Sequence, residues 1–221
     1  MRRERIIPYR GKNIIVRFTI DRCTHVAECL MGLPDVFDTR RQPWVSPDAA
    51  SPDEVAEVIE RCPTGALHYK RLDGGPEESI PDQNTLTLVQ NGPLYARGDL
   101  LIESADGTPL FRDTRVGFCR CGASKHNPFC DNRHDLVDFE ERGRFQHTAP
   151  VTGVPGPVRK GVLRIRLSAD GPLILSGPME IIDSDGRSGF RGNRAALCRC
   201  GASKNHPFCD GSHKAAGFRS E

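Results

Sequence analysis

The chain has 221 residues, of which 37% are hydrophobic and 27% charged, with a formal net charge of +2 at pH 7. This length accommodates two or three small domains, and so small a charge gives no support for nucleic-acid binding. No apolar stretch approaches the roughly 18 residues that a membrane-spanning helix requires, so we expect no membrane partner. Nine cysteines without a visible secretory signal favour metal binding in a reducing compartment, and we expect a cytoplasmic protein.

The front of the chain predicts a small domain with two strands and one helix. Residues 13–20 and 67–70 have the apolar patterns of strands. A helix is expected to begin after Ser51, because Glu54 completes a capping-box pattern, and Pro63 is expected to stop it. Pairing of the two strands would bring together the cysteines that lie before and after this helix.

The three cysteines of this region are spaced like a bacterial ferredoxin run that lacks its second cysteine. Such a run has Cys-x2-Cys-x2-Cys and a distant Cys-Pro. Here Cys23 and Cys29 enclose Val26, and Cys62-Pro63 follows. The region is similar to the divergent mono-cluster ferredoxins, which implies a small α+β ferredoxin-like domain with these three cysteines as cluster ligands. Other residues that carry this resemblance are His25, Pro34, Val36, Phe37, Pro43, Trp44 and Val45.

The type of cluster in this front domain has three alternatives. Three cysteines fit a [3Fe–4S] cluster. A [4Fe–4S] cluster requires His25, water or another group as a ligand to the fourth iron. In the third alternative the site is degenerate and empty, with Cys23 and Cys29 buried as small apolar residues. His25 lies beside the middle position of the run and not in it, which favours packing next to the ligands over ligation.

The rest of the chain contains one metal-ligand pattern twice. Each copy has the spacing Cys-x-Cys-x8-Cys-x3-His, and the copies are offset by 79 positions. The identity extends well beyond the ligands, since Gly92-Pro93-Leu94 recurs as 171–173. A whole structural unit has therefore been duplicated. The ligands are Cys119, Cys121, Cys130 and His134 in the first copy, and Cys198, Cys200, Cys209 and His213 in the second.

Each copy is predicted to be mainly β. Residues 85–90 and 163–167 alternate between apolar and polar side chains, as half-buried strands do. One copy alone is too small to bury much core, and its sheet would have open edges. We therefore expect the two copies to cover each other as a pseudo-twofold pair, joined by a Gly- and Pro-rich linker at 141–160.

Zinc and iron–sulfur clusters compete for these ligands. Zinc accepts three cysteines and one histidine, but its paired ligands usually enclose about two to four residues, not one. Iron–sulfur clusters are held by thiolates, some of which histidine can replace. The sequence Cys-Asp-Gly-Ser-His at 209–213 resembles the full signature of the CDGSH iron–sulfur family (mitoNEET-like proteins), to which 84–140 and 163–219 are similar. In the first copy, Asn132 and Arg133 replace the usual Gly and Ser.

The resemblance implies one [2Fe–2S] cluster in each copy, with two cysteines on one iron and one cysteine plus the histidine on the other. Such a site is one charge less negative than an all-cysteine site, so its reduction potential should lie between those of all-cysteine ferredoxins and Rieske centres. Arg120 and Arg199 either stabilise the anionic centres or are solvated loop cations. The other residues expected beside the clusters are Lys125, Lys204, Ser124, Ser203, Asp131 and Asp210.

The single histidine ligand predicts that the duplicated clusters are labile in acid. Protonation of His134 or His213 competes with the metal, so the clusters should bleach faster as the pH falls below about 6–7, near the reference pKa of histidine. Visible absorbance during incubation across this pH range measures the loss. The same acid lability in a His213→Cys variant as in the wild type would contradict the explanation.

The predicted architecture is an α+β protein with a small ferredoxin-like domain and two tandem, mainly β CDGSH units that form an intrachain pseudo-dimer. No nucleotide-binding motif and no nucleophile with a general base is visible, so we expect no enzyme. Redox centres without substrate machinery favour electron transfer, with a reductase or an electron acceptor as partner. The alternatives are cluster storage or transfer to apo iron–sulfur proteins, and redox or pH sensing. The predicted domains are 1–80, 81–140, the linker 141–160, and 161–221.

Overall fold

The computed structural model describes residues 4–146 and 160–220, and the chain divides into two compact units, Met1–Ser79 and Ile80–Glu221. Each unit has its own sheet and its own hydrophobic core. Most of the predicted linker, residues 147–159, lies outside the described residues. Within the described part of the chain, every helix is too short or too polar to cross a membrane.

The front unit contains a three-stranded antiparallel sheet and two short helices. Its strands, which pair in the order β1-β2-β3, are β1 (Ile6–Arg10), β2 (Ile14–Thr19) and β3 (Leu67–Arg71). Its helices are α1 (Glu28–Gly32) and α2 (Pro52–Glu60). Short 3-10 turns cover Ile20–Arg22 and Pro47–Ala49. The two strands predicted from the sequence correspond to β2 and β3, and they pair directly.

Helix α2 begins as its sequence predicts. Ser51 Oγ accepts a hydrogen bond from Glu54 N at 3.3 Å, and a Glu54 carboxylate oxygen accepts one from Ser51 N at 2.9 Å. This reciprocal capping box satisfies backbone N–H groups that the first turn would otherwise leave unpaired. The buried side chains of Val55, Val58 and Ile59 pack into the core against the sheet. The chain therefore leaves α2 on a fixed path toward Cys62.

The second unit contains one six-stranded sheet to which both copies of the repeat contribute. The strands of the first copy are β4 (Thr85–Leu88), β5 (Leu94–Glu103) and β6 (Pro109–Phe118). Those of the second are β7 (Leu163–Leu167), β8 (Leu173–Ile182) and β9 (Ser188–Leu197). A 3-10 turn covers Arg133–Asp135 in the first ligand loop. The unit is thus mostly β, as predicted.

The two copies are joined by parallel strand pairs. Within each copy the neighbouring strands are antiparallel. Between the copies, β4 pairs with β8, where Leu86 lies opposite Ile181, and β5 pairs with β7, where Ile102 lies opposite Ile165. The two strand pairs have the same register, because Ile165 is the repeat equivalent of Leu86 and Ile181 is that of Ile102. The pairings β4–β5, β5–β7, β7–β8 and β8–β4 close a ring, which covers the edges that β4 and β7 would leave open in each copy alone, while among the described strands β6 and β9 pair only with β5 and β8.

Phe118 connects the core of this ring to the first ligand loop. It is the last residue of β6, it is fully buried, and its counterpart in the second copy is Leu197. We expect Phe118→Ala to lower the free energy of unfolding by about 3–5 kcal/mol, because it leaves a cavity in a packed core. Phe118→Leu introduces the residue found at the equivalent position of the second copy, and it should lower the free energy of unfolding by only a fraction of this amount. Chemical denaturation followed by circular dichroism measures both, and equal losses would contradict the prediction.

Candidate metal centres

Each ligand loop follows directly on the last strand of its copy. Strands β6 and β9 end one residue before the first cysteine of the loop. Backbone hydrogen bonds then fold the loop back: Cys119 N donates to Pro128 O at 2.9 Å, and Cys130 N donates to a carbonyl of β6 at 2.9 Å. In the second copy Cys198 N and Cys209 N form the equivalent bonds, both of 2.8 Å. The sheet therefore holds the early and the late ligands of each loop next to each other.

The predicted ligands of the first copy form two close pairs. Cys119 Sγ and Cys121 Sγ lie 3.6 Å apart, and Cys130 Sγ lies 3.4 Å from His134 Nδ1. A tetrahedral metal with bonds of about 2.3 Å to sulfur holds two thiolates about 3.8 Å apart, and a sulfur and a nitrogen slightly closer. Each pair therefore has nearly the separation that one metal ion requires.

The second copy repeats this geometry. Cys198 Sγ and Cys200 Sγ lie 3.7 Å apart, and Cys209 Sγ lies 3.4 Å from His213 Nδ1. Across residues 4–146 and 160–220, no three His, Cys, Asp or Glu side chains are grouped closely enough to share one metal ion. The donors of each copy are therefore arranged as two separate pairs, each of which could supply two ligands to one metal ion.

Most sulfurs of the two loops are in environments that resist ionisation. The hydrogen bond between Cys119 and Cys121 raises the pKa of Cys119 and lowers that of Cys121 to about 6. Burial raises the pKa of Cys130 to about 11, and burial followed by the charge of Cys200 raises that of Cys198 to about 12. Most of these thiols therefore keep their protons until a metal displaces them, so metal affinity should increase with pH.

The two ligand loops contact each other. Cys121 and Cys200 are partners in an isolated antiparallel β-bridge. The next residues, Gly122 and Gly201, both have φ of 77°, and a Cβ atom on Gly122 would lie 2.6 Å from Cys200 O. Only glycine has both the backbone freedom and the small size for this approach. Cys121, a predicted ligand of the first site, is therefore paired directly with Cys200, a predicted ligand of the second site.

The front unit brings its three cysteines into one region. Cys29 and Cys62 are partly buried against the core of this unit. Burial, followed by the charges of Cys62 and Cys23, raises the pKa of Cys29 to about 11, so the three sulfurs interact. Val26, which replaces the missing cysteine of the run, is 39% exposed. His25 has φ of 53°, and its Nδ1 lies 3.9 Å from Cys23 Sγ.

Comparison with known proteins assigns these regions to families. The model of the family described as divergent 4Fe-4S mono-cluster matches residues 9–72. That of the family described as iron-binding zinc finger CDGSH type matches residues 91–135 and 170–214. The chain belongs to both families. It carries a divergent 4Fe-4S mono-cluster domain followed by two CDGSH iron-binding domains in tandem, as the sequence resemblance implied.

Curated relatives match over a single segment of the chain. Uncharacterized protein YjdI of Escherichia coli strain K12 is 39% identical over 62 residues, which are 28% of this chain and 82% of the relative. The protein of the same name from Escherichia coli O157:H7 matches equally, at 39% identity over 62 residues. No solved structure matches the chain.

Serine and aspartate side chains hold each CDGSH loop in shape. Ser124 Oγ donates to Phe129 O at 2.7 Å and accepts from His126 N at 3.0 Å. Asp131 accepts a hydrogen bond from Lys125 N at 2.9 Å. Ser203 and Asp210 form the corresponding bonds in the second CDGSH domain, where Asp210 accepts from the backbone of Lys204 and Ser212.

These contacts define what the six residues predicted beside the clusters do. The backbone bond from Lys204, followed by those from Ser212, holds the pKa of Asp210 well below its usual range, so this carboxylate stays ionised. The side chains of Lys125 and Lys204 are exposed, so both lysines act on the loop through their backbone N–H groups. The serines and aspartates thus shape the loop that presents the ligands.

Arg120 and Arg199, each between two cysteines, are buried and are not solvated loop cations. Both are 3% exposed. Arg120 Nε donates to Gly92 O at 2.8 Å, and Arg199 Nε donates to Gly171 O at 2.9 Å. The guanidinium of Arg120 lies 5.7 Å from the centre of the Phe139 ring. The guanidinium of Arg199 lies 5.3 Å from the centre of the Phe218 ring. Two positive charges are therefore fixed next to the CDGSH centres.

Sequence reasoning missed two further residues at these centres. Glu141, the first residue of the predicted linker, is buried and forms an ion pair with Arg120. His206 is also buried, and neither of its ring nitrogens has a hydrogen-bond partner among the residues that the structure describes. The repeat offers no signal for either, because Glu141 corresponds to Ser220 and His206 to Asn127.

Proposed function

We propose that this protein transfers electrons and carries one [2Fe–2S] cluster in each CDGSH domain. The observation that carries this proposal is that the donors of each copy form two pairs. Within each pair the two donor atoms lie 3.4–3.7 Å apart. When bound, such a cluster supplies reversible one-electron chemistry. The residues supply ligands, burial and fixed positive charge, and within the described ranges 4–146 and 160–220 we identify no substrate-activating group beside them. We therefore propose a redox carrier and not an enzyme.

The two CDGSH domains are proposed to act as an intrachain pseudo-dimer. The equivalent parallel pairings of β4 with β8 and of β5 with β7 support this arrangement. The bridge between Cys121 and Cys200 brings the ligand loops into contact, so an electron could pass between the centres within one chain. A third cluster, of the [3Fe–4S] type, is proposed in the ferredoxin-like front domain on Cys23, Cys29 and Cys62.

The partner is proposed to be another redox protein, a reductase or an electron acceptor, in the cytoplasm. Leu136 is 74% exposed and Val137 is 48% exposed, and both follow the ligand His134 within three residues. Their counterparts in the second CDGSH domain are alanines, Ala215 and Ala216. Exposed apolar side chains beside a redox centre are suited to transient protein contact.

Redox titration of anaerobically purified protein, followed by EPR, tests this function. We expect all clusters to cycle reversibly without loss of iron, with two signals from [2Fe–2S] centres and one from a [3Fe–4S] centre. Irreversible bleaching on reduction would overturn electron transfer. Transfer of a [2Fe–2S] cluster to an apo-ferredoxin, with matching loss from this protein, would favour the cluster-transfer alternative, which the single histidine ligand in each site supports.

A further inference from the structure

The ion pair between Arg120 and Glu141 has no equivalent in the second CDGSH domain among the described residues. The Arg120 and Glu141 side chains are 3% and 2% exposed. Asn91 Oδ1 fixes the glutamate by accepting a hydrogen bond from Glu141 N at 2.8 Å. Buried in this way, the carboxylate neutralises the guanidinium at a place where solvent screens charges little.

The equivalent arginine has no such partner. Ser220 occupies the position of Glu141, and Asp170 occupies that of Asn91. Asp170 is directed to the chain terminus: it accepts a hydrogen bond from Ser220 N at 2.9 Å and lies 3.5 Å from Arg219. Among the described residues, no carboxylate forms a hydrogen bond or ion pair with Arg199, which donates to backbone carbonyls. The charge of Asp170 does act on Arg199, but its side chain is 41% exposed and forms no ion pair with this arginine. Asp170 therefore compensates the charge of Arg199 less than the buried Glu141 compensates that of Arg120.

The Arg120–Glu141 pair lies against the ligand loop of the second CDGSH domain. The ring of Phe139, which stacks on Arg120, is 6.5 Å from that of His206. Gln146 N donates to His206 O at 3.0 Å, so the chain around Glu141 follows this loop. The charge of Arg120 interacts with Cys198 and, less strongly, with Cys119.

The guanidinium of Arg199, in contrast, interacts with Cys119 of the first CDGSH domain. Each arginine thus lies between two cysteines of its own copy, and its charge also acts on a cysteine of the other copy. The arginine that acts on Cys198 is neutralised by a buried ion pair, whereas the arginine that acts on Cys119 without such a pair keeps more of its charge.

We propose that Glu141 makes the two centres unequal by holding the cluster of the second CDGSH domain at a lower reduction potential than that of the first. This inference rests on the proposed redox function. Reduction adds one negative charge, which a nearby buried positive charge stabilises. A single electron entering the pair therefore resides on the first centre. Exposed charges beside the histidine ligands also differ, Asp135 against Lys214, but water and salt screen them.

Glu141→Gln in the full-length, cluster-loaded protein tests the inference. The amide keeps the shape of the side chain and removes its charge. In an EPR-monitored redox titration, the reduction equilibrium of the second centre should shift at least about tenfold toward the reduced form, or about 59 mV for one electron. The first centre should shift less, so the two potentials converge. His213→Cys, which alters the second centre alone, assigns the signals.

The repeat offers a mirror variant. Ser220→Glu places a carboxylate at the equivalent position beside Arg199 and should lower the potential of the first centre. It also provides a separate test if Glu141→Gln fails to fold, because it leaves the buried Arg120 paired. Unchanged potentials, or equal shifts of both centres, would overturn the inference while leaving the redox function intact. A protein without two reducible clusters would overturn the proposed function itself.

Discussion

Replacement of Cys62 by alanine is expected to lower the iron content from about seven atoms per chain to about four. Cys62 lies after helix α2 and, with Cys29, borders the core of the front unit, where its sulfur interacts with those of Cys23 and Cys29. Without one of three thiolates the front cluster loses an anchor, whereas the CDGSH centres keep all eight of their ligands. Iron and acid-labile sulfide analysis measures the change, together with loss of the [3Fe–4S] EPR signal.

Two substitutions of Val26 extend this test, one as a control and one that adds a fourth cysteine ligand. Val26→Ala removes an exposed side chain without touching a sulfur and should leave the iron count unchanged. Val26→Cys restores the Cys-x2-Cys-x2-Cys spacing and should raise the count to about eight by completing a [4Fe–4S] cluster. A wild-type count of about four would show that the front site is empty and contradict the prediction. A wild-type count of about eight would instead show that another group binds a fourth iron.

Gly122→Ala is expected to release the clusters of both CDGSH domains. A methyl group at this position would lie 2.6 Å from Cys200 O, a backbone atom that moves only if the second ligand loop moves. The φ of 77° adds a cost of about 1–2 kcal/mol for any residue with a Cβ atom. Because Cys121 and Cys200 are directly paired, separation of the loops displaces a ligand of each centre. Visible absorbance after purification measures cluster retention.

Gly107 supplies the matched control for this variant. Its φ is 90°, but a Cβ atom there would meet nothing within 4 Å. Gly107→Ala should therefore lose about 1–2 kcal/mol of stability from backbone strain and keep both clusters. If the two alanine variants retained clusters equally, the contact between the loops would not be needed for binding. Loss of one cluster alone in Gly122→Ala would show that the centres are independent.

Local features of this protein could be predicted from its sequence because they depend on nearby residues. The capping box of Ser51 and Glu54 determines where α2 begins, and both partners lie within one turn. The ligand spacing of the CDGSH loops likewise determines which side chains reach a metal, since the cysteine pairs and Cys-x3-His pairs are short-range. The offset of 79 positions made the duplication visible, and the family comparisons agree with it.

The parallel pairing of the two copies required the tertiary structure. The alternating pattern of β4 or β7 specifies a buried face but not the neighbour that covers each edge. Either an antiparallel meander or an interleaved ring satisfies the same pattern. The ring is observed, with Leu86 opposite Ile181 and Ile102 opposite Ile165, and it brings Cys121 next to Cys200.

The sequence by itself determined the duplication and the short elements that carry the predicted ligands, and it is the source of the predicted ligand sets. Only the tertiary structure decided which charges accompany each centre. Arg120 and Glu141 are 21 positions apart, and His206 comes from the other copy, so no local pattern connects them. Their interaction depends on burial and on long-range packing, which bring distant residues together where solvent cannot screen their charges. The repeat makes the centres alike in their ligands, and the packing around them makes their electrostatic surroundings different.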